Sequence, residues 1–442
     1  MEYLKQSLSH MTGADAHRRG DEAEKLSATV RQMLDDLRTR GEDAVRDYAK
    51  RFDGWTGDFV LGEDKRAALI ASVPDSVKAD IRYAHAQVRR FAEAQRASLQ
   101  AFEVETEPGV VLGQRIVPVG CAGCYIPGGR YAHAASAIMS IATAKAAGVE
   151  YVIACSPPRG ASIDPAVLFA MDLAGADVIL EMGGVHAVAA LAWGLFTGRE
   201  ADIIVGPGNA YVAEAKRLLF GEVGIDVLAG PTESAIVADA GADPMTVAVD
   251  LVSQAEHGPT SPVWLFTDSR RLGEAVLALM PRVAADMPNA EVVLAAWRDH
   301  GEIVVCADRE EVVQVCDRYA PEHVQVMAVD HRWYRDRLRN YGSLFLGEGS
   351  TVTHGDKCSG TNHILPTGRA GRYSGGLNVQ KFMKILTWQE ISPDANLTMS
   401  AVGSRISRTE GMEGHARACD WRLRKYFPDK EWGFEVYRQA SY

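Results

Sequence analysis

Ile203-Ile-Val-Gly-Pro-Gly-Asn-Ala-Tyr-Val-Ala-Glu-Ala-Lys-Arg-Leu-Leu-Phe220 carries the pattern that decides the fold. A short β-branched run is broken by glycine and proline, and from Ala210 the chain takes helical spacing. The unit recurs on both sides. Strands are predicted near Cys124–Ile126, Tyr151–Cys155, Val178–Glu181, Ile203–Val205 and Ile225–Leu228. Helices are predicted over Ala134–Ala147, Pro165–Ala174, His186–Phe196 and Ala210–Phe220. Such alternation requires right-handed crossovers and a parallel sheet covered on both faces. The turns read Ile126-Pro-Gly-Gly-Arg130, Met182-Gly-Gly184, Val205-Gly-Pro-Gly-Asn209 and Ala229-Gly-Pro-Thr-Glu233, at the carboxyl ends of strands, where open parallel sheets collect ligands. Glycines there admit close backbone N–H groups, and a following helix N-terminus favours an anion. No Gly-x-Gly-x-x-Gly occurs in this segment, so these turns suit an anionic ligand or plain turn glycines alike.

A second alternating region places strands near Ala235–Val237, Val263–Phe266, Ile303–Val305, Val324–Val326 and Leu344–Leu346. The expected fold is therefore α/β, with two Rossmann-like parallel-sheet domains forming a cleft, an N-terminal arm and a helical C-terminal tail. Residues 1–22 form the arm; 23–118 with 230–374 form a discontinuous first domain; 119–229 form the second, cofactor-side domain. Helices are expected on either side of Arg40-Gly41 and after Pro74-Asp75, and a strand or hairpin over Gly109–Pro118. Residues 375–442 read as a polar helical tail too thin for its own core, for which a second copy of the chain is the simplest support.

At 442 residues and 47% hydrophobic content the chain can bury a large core. A net charge of −11 without a basic stripe argues against nucleic acid as partner. Neither a signal-peptide run nor a bilayer-length apolar run is present, so a cytoplasmic location without membrane association is the default expectation. Seven scattered cysteines do not form a disulfide framework, and Cys121-x-x-Cys124 has no second pair with which to complete a thiolate metal site.

Chemistry-bearing residues concentrate in a few stretches. Asp250-Leu-Val-Ser-Gln-Ala-Glu-His257 ends a helix that begins with the cap Asp243 and Pro244, and sets Gln254 and His257 three residues apart on one face. Such a pair suits a shared cation or a solvated helix end. Ala320-Pro-Glu-His323 puts a carboxylate beside an imidazole, His354-Gly-Asp356 leads into Ser359-Gly-Thr-Asn-His363, and Glu410 and His415 lie in the tail.

The stretches QAEH, APEH, GPGNAYVAEAKRLLFG, GIDVLAGPTE and GD followed by NHILPT stand in the order found in histidinol dehydrogenases, and the chain resembles that family from about Ala23 to its last helix. The resemblance implies a zinc-dependent, NAD-linked enzyme that oxidises an alcohol to a carboxylate in two hydride transfers. It implies one zinc per subunit, held by Gln254, His257, Asp356 and His415, the last from the neighbouring subunit of a homodimer whose active site is shared. His323 would take the hydroxyl proton and Glu322 would help activate water. Tyr125, Pro127, Gly128, His186, Gly206, Pro207, Gly208 and Asn209 match cofactor-side positions. Thr232, His363 and Glu410 match substrate-side positions, beside Gln254, His257, Glu322, Asp356 and His415.

The sequence departs from the histidinol pattern in Arg130, Tyr131 and His133, in His186 where the family usually has glutamine, and in Lys357-Cys358-Ser359. These changes add cationic or protonatable groups, which oppose cationic histidinol and favour an anionic substrate. CYIPGGRYAHAASAIM, GDKCSGTNHILPT and RYSGGLNVQKFMK resemble the branch of sulfopropanediol 3-dehydrogenases, which implies oxidation of 2,3-dihydroxypropane-1-sulfonate to sulfolactate. Arg130, His133, His186 and Lys357 are the candidate anion readers. Histidinol is the alternative substrate, and a non-catalytic metal-binding protein of the same fold would be expected to lack Glu322, His323 or a zinc ligand; none is lacking.

Overall fold

The computed structural model describes residues 1–7, 15–128, 132–228 and 230–437, of which 15–22 by backbone alone. Two compact units emerge: residues 1–96 with 118–382, and residues 97–117 with 383–442.

The larger unit holds two parallel sheets. In the first, strands Cys121–Tyr125, Tyr151–Ser156, Val178–Glu181, Ile203–Val205 and Gly224–Ile225 lie in the spatial order third, second, first, fourth, fifth. All its pairings are parallel. Cys121–Tyr125 is buried at every position, as a strand covered on both faces must be. Its helices start and stop where side chains and glycines allow. Asp164 accepts from the Ala166 and Val167 N–H groups at the head of Pro165–Ala174, and Asn209 does the same for Tyr211 and Val212 at the head of Ala210–Leu219. Gly148, Gly175 and Gly194 close three helices in the left-handed conformation.

The second sheet repeats that order with Ser234–Ala238, Val263–Thr267, Glu302–Val305, His323–Met327 and Ser343–Leu346. Apolar clusters on its two faces centre on Leu251, Leu265 and Met280, and on Phe266, Val315 and Val324. Both parallel sheets match expectation, and several boundaries do not.

The arm is not featureless. Glu2–Lys5 adds an antiparallel edge strand beside Glu302–Val305, and Asp15 already opens a helix that runs to Arg40. Lys5 Nζ donates to the Gly301 carbonyl at 2.5 Å and Ser7 Oγ to Glu302 at 2.6 Å. A four-residue strand is too short to show periodicity, so its partners fix it. Helices Asp15–Arg40 and Glu42–Phe52 bury Val30, Leu34, Leu37, Val45 and Ala49 in one core with Ile153, Leu180 and Leu191. They therefore cover the first sheet, whereas the sequence reading grouped residues 23–118 with the second.

In the smaller unit, Phe102–Glu107 and Val110–Pro118 form an antiparallel hairpin, with Met383–Ile391 on the other side of Val110–Pro118. Helices Asn396–Thr409 and Glu413–Tyr426 are joined by Asp420, which is fully buried and accepts from Ser404 Oγ at 2.5 Å and Arg408 Nη2 at 2.6 Å. The tail is thus not purely helical: a nine-residue strand precedes its helices. That strand is mostly exposed along its length and so shows little apolar face from which to read it.

Candidate active site

A cavity of about 860 Å³ in the larger unit is lined by loops from both sheets. From the first sheet come Pro127, His133, Ser136, Pro207, Gly208 and Asn209, at carboxyl ends of strands and first turns of helices. From the second come His257, Glu322, His323, Asp356, Lys357 and His363, around the amino ends of its strands. Gly230, Pro231 and Thr232 lie on the connection between the sheets.

On the first-sheet side, Gly206 takes φ +118°, and a Cβ there would sit 1.9 Å from the Tyr125 carbonyl oxygen. Only glycine fits. The Gly206 N–H donates to Asp226 Oδ2 at 2.7 Å, while Lys216 Nζ donates to the Gly206 carbonyl at 2.9 Å and the Val227 carbonyl at 3.2 Å. Lys216 also pairs with Asp226, and both are buried. One ion pair thereby braces the Gly206–Asn209 turn and the segment leading to Thr232.

On the second-sheet side, helix Pro244–Ala255 runs to Gln254 and is followed by His257. The Gln254 Oε1, Asp356 Oδ1 and His323 Nε2 atoms are buried without a hydrogen-bond partner among the described residues. His323 Nε2 stands 3.3 Å from Asp356 Oδ1, close enough for an ion pair but out of hydrogen-bond alignment. Burial lowers the His257 pKa against the pull of the Asp356 charge, with the charges of His323 and Lys357 adding to the fall, and so favours the neutral ring with a lone pair to offer. Burial alone would raise Asp356, but His323, His363 and Lys357 hold its carboxyl below the usual range.

Glu322 and His323 follow a helix whose last turn ends at Ala320 in the left-handed conformation, φ 49°. That conformation costs a non-glycine residue roughly 1–2 kcal/mol. Burial pushes Glu322 up to about 8, against the pull of the His323 charge. Burial disfavours the His323 imidazolium, yet the Glu322 and Asp356 carboxylates outweigh it and raise the imidazole to about 9. The ring is thus flanked by two carboxylates, which favour its charged form.

The structure brings together Pro127, His133, Pro207, Gly208, Asn209, Thr232, His257, Glu322, His323, Asp356, Lys357 and His363. Tyr125, Gly128, His186, Gly206 and Gln254 are not among the lining residues. The Tyr125 hydroxyl accepts from the Gly184 N–H at 3.1 Å. His186 is 1% exposed and faces Asp53 at 3.2 Å, so it does not meet an anion in this cavity. His363 donates from Nδ1 to the Asp356 carbonyl and accepts at Nε2 from Ser136 Oγ, each at 2.9 Å. Burial takes its pKa down to about 4, so it is a neutral bracket on the Asp356 backbone. Arg130 lies outside the described residues. Glu410 and His415 belong to the smaller unit, where both are exposed.

Lys216, Asp226, Glu233 and Asp250 were not singled out by sequence reading. Lys216 had a signal: on the helix it shares the apolar stripe of Val212, Ala215 and Leu219, where a cation needs a buried partner.

Among the described residues no group of three His, Cys, Asp or Glu side chains is placed to hold a metal. The larger unit offers His257 nitrogen with the unpartnered oxygens of Gln254 and Asp356, a mixed donor set that fits zinc once further ligands complete it. For a dinucleotide, the braced Gly206–Asn209 turn and the adjoining helix N-terminus supply backbone N–H groups.

The histidinol dehydrogenase family model matches residues 16–423. The sulfopropanediol 3-dehydrogenase of Ruegeria pomeroyi is 54% identical over 92% of this chain and 95% of its own length. A histidinol dehydrogenase homolog of the same organism is 58% identical, covering 90% and 93%. The crystal structure of histidinol dehydrogenase from Elizabethkingia anophelis superposes with a TM-score of 0.86 at 31% identity, covering 90% of this chain and 92% of that one. The chain belongs to the histidinol dehydrogenase family of oxidoreductases.

Proposed function

We propose that the protein oxidises a primary alcohol to a carboxylate through an aldehyde, and that its substrate is 2,3-dihydroxypropane-1-sulfonate, yielding sulfolactate. The observation that carries this reading is one cavity shared by an acid–base pair, Glu322 and His323, metal-ligand candidates His257 and Asp356, and the cation Lys357. Gln254, His257 and Asp356 would hold zinc together with His415 of a second copy in a homodimer. Bound zinc supplies polarisation of the alcohol oxygen, and NAD supplies the hydride acceptor. His323 takes the hydroxyl proton, without which hydride does not leave the alcohol carbon. A metal held at Asp356 would remove one of the two carboxylates that favour the His323 imidazolium, and would so shift the ring towards the neutral form that acts as base. Glu322, in its ionised form, then draws a proton from the water that hydrates the aldehyde; the hydrate gives its hydroxyl proton to His323, which has passed its first proton to solvent, and its hydride to a second NAD, leaving the acid.

The substrate assignment rests on charge. Lys357 lines the cavity, and so does His133, which burial and the Lys357 charge keep neutral as a hydrogen-bond donor. Both suit a sulfonate and Lys357 opposes a cation. The identity to the Ruegeria sulfopropanediol 3-dehydrogenase supports the same choice. NADH absorbance tests it: turnover with dihydroxypropanesulfonate and none with histidinol is expected, and the reverse replaces the sulfonate with histidinol. Silence with every alcohol, despite zinc and NAD binding, would remove the enzymatic reading.

A further inference from the structure

Three elements carry the candidate metal and base residues: helix Pro244–Ala255 with Gln254, strand His323–Met327 with His323, and the short helix Val352–Lys357 with Asp356. They meet in one carboxylate that no role described so far uses. Asp250 Oδ2 accepts from Gln325 Nε2 at 2.7 Å, and Asp250 Oδ1 accepts from Thr351 Oγ1 at 3.3 Å. Gln325 is 0% exposed.

The placement follows from two periodicities. Residues four apart share a helix face, so Asp250 lies one turn below Gln254; residues two apart share a sheet face, so Gln325 lies one step inside His323. Asp250 and Gln325 thus lie beneath Gln254 and His323, and Thr351 opens the short helix that carries Asp356. Thr351 stands at the N-cap of Val352–Lys357 but makes no side-chain cap hydrogen bond, its hydroxyl being turned to Asp250 instead. A cap of this kind stabilises the start of a helix. The local helix forgoes it in favour of the contact that ties it to its neighbours.

We infer that Asp250 is a positioning residue: it joins the three elements through Gln325 and Thr351 and so sets the spacing of Gln254, His323 and Asp356 above it. The inference rests on the reading of Gln254, His257 and Asp356 as metal ligands. Partners behind metal ligands fix ligand orientation, and losing one costs roughly 10–100-fold in metal affinity.

The test is release of zinc from the loaded full-length protein to a chromogenic chelator. Asp250→Ala is expected to speed release roughly 10- to 100-fold. Asp250→Asn keeps an oxygen for Gln325 and gains an amide that donates to the Thr351 hydroxyl, so its release stays within about threefold of wild type. Thr351→Val removes one contact at nearly unchanged volume; it speeds release by a smaller factor and stays readable if Asp250→Ala does not fold. Met280→Ala, in the apolar core beside helix Pro244–Ala255, lowers the unfolding midpoint but leaves release unchanged. Wild-type release in Asp250→Ala or Thr351→Val, or equal acceleration in Met280→Ala, overturns the role of Asp250 and leaves the metal reading standing. A wild-type protein that takes up no zinc ends both.

Discussion

The two parallel sheets share one strand order but turn opposite ends to the same cavity. The first offers carboxyl ends, and with them the N-termini of helices Ala134–Ala147 and Ala210–Leu219, the positive ends of their dipoles. The second offers amino ends, and with them the C-terminal ends of helices Pro244–Ala255 and Arg309–Tyr319, the negative ends of their dipoles. One topology used twice therefore supplies an anion-favouring wall and a cation-favouring wall. Each wall is tied by a buried or half-buried carboxylate, Asp226 on the first side and Asp250 on the second. At the carboxyl end of the second sheet, where open sheets usually collect ligands, the acidic residues serve turns and caps instead: Asp239 accepts from the Gly241 and Val329 N–H groups, and Asp308 caps Arg309–Tyr319.

If the walls divide the labour in this way, changes on one should leave the other's ligand untouched. The largest effect is expected at the base. His323→Asn should lower kcat by about 10²–10⁴-fold with NAD affinity unchanged, measured by turnover and by NADH fluorescence titration. Loss of NAD binding in that variant would break the division. Lys216→Met strands Asp226 in the core, which costs about 3–5 kcal/mol of stability for a broken buried pair. Denaturant unfolding should show that loss and NAD affinity should fall, while zinc content stays at the wild-type level. Lys357→Met removes the charge proposed to meet the sulfonate, and KM for the anionic alcohol should rise roughly 10-fold or more, in line with about 1.5–3 kcal/mol for a charged hydrogen bond.

The smallest effect is a pH dependence. Burial raises the Glu233 carboxyl to about 7. A carboxyl raised in the folded state binds more protons there than in the unfolded chain, so stability falls as pH climbs from the ordinary carboxyl range to about 7 and is level above it. Glu233→Gln, which keeps an acceptor for the Gly368 N–H, should raise the unfolding midpoint at about pH 8 and change it little at about pH 4, by at most about 3 kcal/mol. An equal shift at both pH values would sharpen the account by moving that cost to another group.

Both sheets were legible because strand–turn–helix alternation leaves a local trace, as at Ile203–Val205 before Asn209 and Ala210. Glu322, His323, Asp356 and His257 stand out in the sequence by their motifs, and the fold brings them to one cavity. What escaped was set by contacts distant in sequence. Glu2–Lys5 is a strand only because Glu302–Val305 lies beside it. The helices up to Phe52 carry an ordinary apolar stripe that does not say which sheet it will meet, and the partner of His186, Asp53, lies more than a hundred residues away in the chain. The surroundings of His323 also depend on two carboxylates, one of them 33 residues away in the chain.

The central claim is that the cation wall holds a metal against which the alcohol binds. Cobalt loaded in place of zinc reports this directly, because its visible absorption follows the ligands. The account predicts bands that shift when dihydroxypropanesulfonate is added, and that disappear with His257→Ala or Asp356→Ala. A protein that takes up no cobalt, or whose bands no alcohol moves, would contradict it.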